Sequence, residues 1–406
     1  MQGHEEGFVG DIGGSGVRTV GVVTVARSDY GIYLPVLRKI EPEPDLDLMV
    51  YVGGMHLSPE FGMTVDAIEA DGFVPAERIE MLLSSDSPGG VAKSIGLGVI
   101  GFAQAFGRSR PDILLVLGDR FEMYVAALAA LPFKIPVGHI HGGEITEGAI
   151  DDALRHSLTK LSHLHFVSTE QYGDRVIQLG EEPWRVTVSG APSLDNLHTI
   201  SLLQADELKA RYGLGFDQPP LLVSFHPVTL EYEQTRWQMQ ELLAALEASK
   251  LPIVFTMPNA DTSGRTIARM IENYCARHPG AQLVVNLGTQ GHFSMMAVAA
   301  AMVGNSSSGI IEAPSFELPV VNIGTRQRGR VRGANVVDVD YNRDSIIVGL
   351  NEALDPSFRA QLRGIPNPYG TGMASDKIVE VLKVVDFDER LLRKRFHDMA
   401  VTGGGS

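Results

Sequence analysis

The sequence predicts an α/β protein made of two doubly wound, Rossmann-like domains that face a central cleft. Three observations carry that expectation. From Arg18 onward, short apolar runs alternate with longer amphipathic ones. The rhythm breaks at 191–218, where a proline and a polar run lead to Pro219-Pro220, and then starts again. A chain of 406 residues is also too long for one ordinary core and suits two of comparable size.

In the first half the predicted strands are VGVVTV (20–25), LDLMVYV (46–52), DILLVLG (112–118), PVGHIH (136–141), HLHFVS (163–168) and RVTVSG (185–190). Helical patterns at 88–107, 120–131 and 149–161 lie between them. The strands are short, and two are apolar on both faces, as a parallel sheet covered by helices requires. The second half repeats the alternation with LLVSF (221–225), PIVFTM (252–257), QLVVNL (282–287), AMVGN (301–305) and PVVNI (319–323). The expected division is a tail at 1–17, domains at 18–195 and 196–371, C-terminal helices at 372–396 and a tail at 397–406. Ile378, Val381, Leu382 and Val385 recur at helical spacing, and by analogy with other two-domain folds this helix is expected to cross back to the first domain.

Lys plus Arg number 34 and Asp plus Glu 49, for a formal net charge of −15. That balance argues against nucleic-acid or anionic-membrane partners, which reward a basic face. A small anionic ligand remains compatible, since it answers to a few local arginines. Cys275 is the single cysteine, so no internal disulfide or zinc spacing arises, and a reducing, cytoplasmic setting is expected. No apolar run approaches the roughly 20 residues of a bilayer span.

In open α/β sheets, ligands bind beyond the carboxyl ends of the strands. Those ends carry 26–31 (with Arg27), 53–56 (with His56), Asp119-Arg120-Phe121-Glu122 and Gly142-Gly143-Glu144 in the first half. In the second they carry His226, Asn259-Ala260-Asp261 and Gly304-Asn305-Ser306-Ser307-Ser308-Gly309. GNSSSGIIEAP reads as a turn that opens a helix, offering N–H groups, a helix dipole and hydroxyls to phosphate, or simply a serine cap. It is neither a Walker A loop nor a GxGxxG fingerprint. Arg326, Arg328, Arg330 and Arg332 read as a diphosphate clamp or as a solvated basic loop. His139 and His141 share a strand face, as do His163 and His165. With Asp119 and Glu144 they invite a metal, although no ligand spacing accompanies them and buried structural histidines are the plainer reading. Asp151, Asp152 and Arg155 fall off the apolar stripe of the 149–161 helix, where two first-turn carboxylates also suit the dipole.

GDRFE (118–122), HIHGGE (139–144), AIDDALRHSLTKLSHLHF (149–166), FHPVT (225–229) and GNSSSGIIEAPSFELPVVNIGTRQRGR (304–330) together resemble the hydrolysing UDP-N-acetylglucosamine 2-epimerases of sialic-acid biosynthesis. GMHLSPEFG (54–62), RVIQLGEEP (175–183) and NPYG (367–370) are similar too, so the resemblance spans about Arg18 to Val385. It implies the GT-B fold, UDP held by the second domain, and a cytoplasmic homodimer or homotetramer with no cofactor or metal. The implied reaction removes the C2 proton as UDP departs, then adds water to the 2-acetamidoglucal to give N-acetylmannosamine. Asp119 and Asp151 match catalytic carboxylates. His141 stands where some relatives have Glu, so the acid/base shares of His141 and Glu144 stay open. Arg27, His226, Ser306, Ser307, Glu312 and Arg326 match UDP-holding positions, with His56, Arg120, Arg155, His163 and His165 in support. UDP-N-acetylglucosamine is the first expected substrate and UDP-N,N′-diacetylbacillosamine the alternative. A GT-B glycosyltransferase, a non-hydrolysing epimerase and a non-catalytic UDP-sugar-binding protein are the rivals. The motifs disfavour the first, and HIHGGE in place of an HVEAG-like run disfavours the second.

Overall fold

The computed structural model describes residues 16–85, 87–146, 150–257 and 264–399. Most of both expected tails, together with Asn259, Ala260 and Asp261, lies outside the described residues.

The apolar runs become parallel strands because each can be buried on both faces. Seven strands form the first sheet in the order β3-β2-β1-β4-β5-β6-β7. They are β1 (Arg18–Thr24), β2 (Leu46–Gly53), β3 (Pro75–Ile79), β4 (Ile113–Leu117), β5 (Val137–Ile140), β6 (Leu164–Val167) and β7 (Val186–Val188). Six form the second, in the order β10-β9-β8-β11-β12-β13. They are β8 (Leu221–Ser224), β9 (Ile253–Thr256), β10 (Ala281–Val284), β11 (Ala301–Gly304), β12 (Val320–Ile323) and β13 (Val336–Val339). Each order reverses once, between β1 and β4 and between β8 and β11, which is the doubly wound arrangement predicted.

Two edge strands, β3 and β13, have no counterpart among the predicted runs. β3 reads PAERI, alternates in exposure and starts on a proline, which an edge tolerates. β13 reads VVDV and has no fully buried residue. Edges are covered on one side at most, so they lack the continuous apolar run that marks the central strands.

Helix Pro88–Arg108 corrects one expectation. It has 21 residues and is long and apolar enough to cross a membrane by length and composition. Val91, Ile95, Leu97, Val99 and Ile100 lift its mean hydropathy, while Phe102, Ala105 and Phe106 pack into the first core beside Tyr51.

Helix Ala374–Val384 places Ile378, Val379 and Leu382 in that same first core. Asp195, in the segment that leads out of the first sheet, accepts from the Ala374 and Ser375 amides at 3.0 and 2.6 Å. Arg18 donates to the Leu382 and Lys383 carbonyls at the helix end.

The segment beyond it is held by a buried charge cluster. Arg185 donates to the carbonyls of Leu391 and Arg390 at 2.9 and 2.8 Å. Lys394 lies 2.7 Å from the Glu181 carboxylate, which also receives His165 at 2.9 Å and Lys160. Burial alone would raise the Glu181 carboxyl, but His165, Lys394 and Lys160 pull it down to about 2. A depressed carboxylate contributes its stability above its ordinary value and loses it as pH falls through the folded one. Glu181→Gln is therefore expected to destabilise the protein by about 3 kcal/mol at neutral pH. Urea unfolding should show the gap to wild type narrowing as pH falls from 4.5 towards 2.

Candidate active site

The carboxyl ends of the strands beside each reversal bring most of the predicted residues to one edge of each sheet. At the end of β1, the Asp29 carboxylate accepts from the Val25 and Ala26 amides at 3.1 Å and from the Thr24 hydroxyl at 2.7 Å. Since Thr24 gives its proton to Asp29, His56 Nε2, 2.9 Å away, must be the donor to it. Thr64 then donates to His56 Nδ1 at 2.7 Å. The ring is fully buried and fixes the turn that presents exposed Arg27. His56 acts on the loop, one step removed from the cleft.

Around β4 and β5 the chemistry is denser. Asp119 follows the turn at Gly118 and forms an ion pair with buried Arg155 of helix Ile150–Leu161. The other Arg155 terminus donates to the His141 carbonyl at 2.8 Å and lies 3.8 Å from Glu144. His141 Nδ1 meets Glu144 Oε1 at 2.5 Å, and the Ser168 hydroxyl donates to the same oxygen at 3.0 Å. Arg330, from the second half of the chain, brings Nη1 within 3.3 Å of Glu144 Oε2. Burial would raise the Glu144 carboxyl, yet His141, Arg330 and Arg155 hold it far below the usual carboxylate range. Asp151, in the first turn of the same helix as Arg155, precedes it by four residues and so shares its face. Asp152 is occupied with the Thr146 amide at 2.8 Å. Arg120 Nη2 reaches Met55 Sδ at 3.2 Å and lies beside buried Glu122.

His141 does not share a strand face with His139. β5 ends at Ile140, and His141 turns into the left-handed region at φ 64°, a conformation that costs a non-glycine residue about 1 kcal/mol. Gly143 follows in the same region, where a Cβ would strike the Tyr172 carbonyl. The turn therefore swings His141 and Glu144 together. His139 stays in the sheet as a neutral ring, pushed down to about 3 by burial, and donates from Nε2 to the Gly118 carbonyl at 2.8 Å.

In the second sheet Asn305 ties the ends of β8 and β11. Its side chain accepts from the His226 amide at 2.7 Å and donates to the His226 carbonyl at 2.8 Å. Its own carbonyl receives Arg326 at 3.0 Å and Gln327 at 2.8 Å. Gly304 precedes it at φ 132°, and any Cβ there would meet the Ser224 carbonyl. Burial, then Arg326 and His292, push His226 down to about 3, so the ring is neutral. Half-buried Ser306 and Ser307 open a single helical turn, Ser308–Ile311, and Pro314, which has no amide N–H to give, follows soon after it. What this loop can offer an anion is therefore its N–H groups and side chains, without a long helix dipole. Ser193 donates to Glu312 Oε1 at 2.6 Å, linking the two halves, and burial raises that carboxyl to about 7.

Two expectations need correction. His163 sits at the amino end of β6, where its Nδ1 accepts the Val137 amide at 3.1 Å, and His165 belongs to the Glu181 cluster. Both are structural, and neither lies at the carboxyl edge. The four-arginine clamp dissolves as well: Arg332 pairs with Asp338 at 3.0 Å, Arg328 is exposed and Arg330 points to Glu144, so Arg326 alone stays beside the Asn305 loop. Among the described residues, no group of three or more His, Cys, Asp or Glu side chains is placed to hold a metal. Asn305 was placed at a strand end by the sequence but given no role, while Ser168 and Ser193 were not predicted as site residues, since a lone serine carries no sequence signal for such ties.

The family model described as UDP-N-acetylglucosamine 2-epimerase matches residues 38–383. A UDP-N,N′-diacetylbacillosamine 2-epimerase (hydrolyzing) of Legionella pneumophila is 39% identical over 93% of this chain and 99% of its own. A GDP/UDP-N,N′-diacetylbacillosamine 2-epimerase (hydrolyzing) of Campylobacter jejuni is 38% identical over 94% and 99%. In fold, a UDP-GlcNAc 2-epimerase from Neisseria meningitidis, solved bound to UDP-GlcNAc, is similar with a TM-score of 0.78 and 20% identity, over 90% of this chain and 99% of that one.

Asn305→Ala removes the hydrogen bonds that Asn305 makes to the His226 amide and carbonyl and is expected to lower the unfolding free energy by about 2 kcal/mol. Asn305→Asp keeps the acceptor and should lose less, and urea denaturation separates the two.

Proposed function

This chain belongs to the UDP-N-acetylglucosamine 2-epimerase family and is a hydrolysing 2-epimerase, and we propose that its sugar nucleotide is UDP-N,N′-diacetylbacillosamine. The observation that carries this choice is the near full-length similarity, at 39% and 38% identity, to two hydrolysing enzymes named for that sugar. It reverses the order of substrates expected from the family resemblance, within the same reaction class.

The chemistry needs a group to take the C2 proton, positive charge and donors for the departing diphosphate, and a group to return a proton from the other face. Asp119, Asp151 and the His141–Glu144 pair make the proton-handling set on the first-sheet side. Asp119 is ion-paired with Arg155 and stays partly exposed at the edge, suited to meet a substrate. His141 is tied through Nδ1, which leaves Nε2 for exchange. As the C2–H bond breaks, its electrons form the C1–C2 double bond and the C1–O bond breaks with UDP as leaving group. Water then adds its hydroxyl to C1, and a proton is delivered to C2 on the opposite face.

UDP is assigned to the second-sheet edge. Arg326 offers guanidinium donors, Ser306 and Ser307 offer hydroxyl and amide donors, neutral His226 offers a ring N–H, and Glu312 accepts from ribose hydroxyls. Arg27 reaches from the first domain towards the diphosphate.

Proton NMR with each sugar nucleotide in D₂O tests the reaction. Release of UDP with a manno-configured sugar deuterated at C2, faster from the diacetylbacillosamine compound, is expected. Faster turnover of UDP-N-acetylglucosamine would overturn the substrate choice, and no turnover of either would overturn the function. Asp119→Asn and Asp151→Asn should each lower kcat by about 10²–10⁴-fold while UDP still binds. Arg326→Ala should weaken UDP binding by about tenfold by calorimetry, as expected for the loss of one charged hydrogen bond.

A further inference from the structure

Arg330, in the 326–332 loop, reaches out of its own domain. Its side chain is 9% exposed and ends between Glu144 Oε2, at 3.3 Å, and the Ile145 carbonyl, also 3.3 Å from Nε. Burying a guanidinium is costly unless it is paired, and here the pair lies in the other domain. The loop is held on both sides of it. Four residues earlier, Arg326 donates to the Asn305 carbonyl at the nucleotide edge. One residue later, the Val331 amide donates to the Tyr172 hydroxyl at 2.9 Å, and the Tyr369 hydroxyl donates to the Val331 carbonyl at 3.0 Å. Tyr172 and Tyr369 meet each other at 2.9 Å, so the strap has no slack.

We propose that Arg330 is a positioning residue that fixes the His141–Glu144 pair from the second domain, so that the proton-handling set is complete only when the loop carrying Arg326 is seated. This rests on the hydrolysing-epimerase assignment above. One loop thereby joins the leaving-group end of the cleft to its acid/base end. Glu144, facing Arg330 and Arg155 together, stays an anion and keeps the His141 proton on Nδ1. The other charged groups facing the pair are Asp119 from the β4 turn and Arg175, which donates to the Gly143 carbonyl. Tyr172 and Tyr369 face it from the strap, and Glu312 from the second sheet.

Removing the Arg330 charge favours the protonated form of both members of the pair, so the two shift together to higher pH. In Arg330→Met, kcat is expected to fall by about 10²-fold with KM changed less than about threefold. The acidic limb of its kcat–pH profile should move up by about one unit or more. Arg330→Lys keeps the charge and should return the limb to its wild-type position. In parallel, the ¹³Cε1 resonance of His141, assigned with His141→Asn, is titrated in substrate-free wild type and both variants. An upward shift in Arg330→Met, absent in Arg330→Lys, is the expected result. A folded Arg330→Met whose limb and His141 titration both match wild type would overturn the proposal. If wild type turns over no sugar nucleotide, the functional assignment fails, and the substrate-free titration still decides whether Arg330 governs the pair.

Discussion

A carboxylate taken out of water must either accept a proton or be surrounded by positive charge and donors. Glu144 takes the second course, and much of the site is arranged around it. His141, Arg155, Arg330 and Ser168 converge on its two oxygens from four separate segments of the chain. Arg155 is shared with Asp119, so the position of one carboxylate constrains the other. Arg330 is anchored in the second domain, so the same buried charge also constrains how the two sheets meet.

The two sheet edges divide the work by their chemistry. The first gathers carboxylates and one strained histidine, a set chemically suited to exchanging protons. The second gathers arginine, serines and a neutral histidine, a set chemically suited to donating to an anion. The division follows from two repeats of one topology, each with its reversal facing the other. The strain at His141 and the crowding at Gly143 and Gly304 show where the backbone was bent to bring these groups close.

Away from the cleft, the C-terminal segment ties itself to the first domain through Arg185, Lys394 and Glu181. His163 and His165 take part in that tie, which explains why their pattern resembled a site. Both arrangements need histidines beside a carboxylate, and spacing along a strand does not tell which end of the sheet they occupy. His139 and His165 are register partners on adjacent strands, yet one holds the Gly118 turn and the other the C-terminal tie.

Local patterns determined much of this protein. Apolar runs fixed the central strands, the break near Pro219-Pro220 separated the two alternations, and the motif set placed the chain among hydrolysing 2-epimerases. Those features are written in consecutive residues, since burial on both faces and turn chemistry are local demands. The edge strands β3 and β13 were not legible, because a strand covered on one side has no continuous apolar signature. The destinations of the arginines at 326–332 were decided only in three dimensions. Their spacing is uniform, but Arg326 stays in its own domain, Arg330 crosses to Glu144 and Arg332 turns to Asp338. Charge pairing acts through space between segments 186 residues apart, as from Glu144 to Arg330, and no local pattern in the chain encodes that distance.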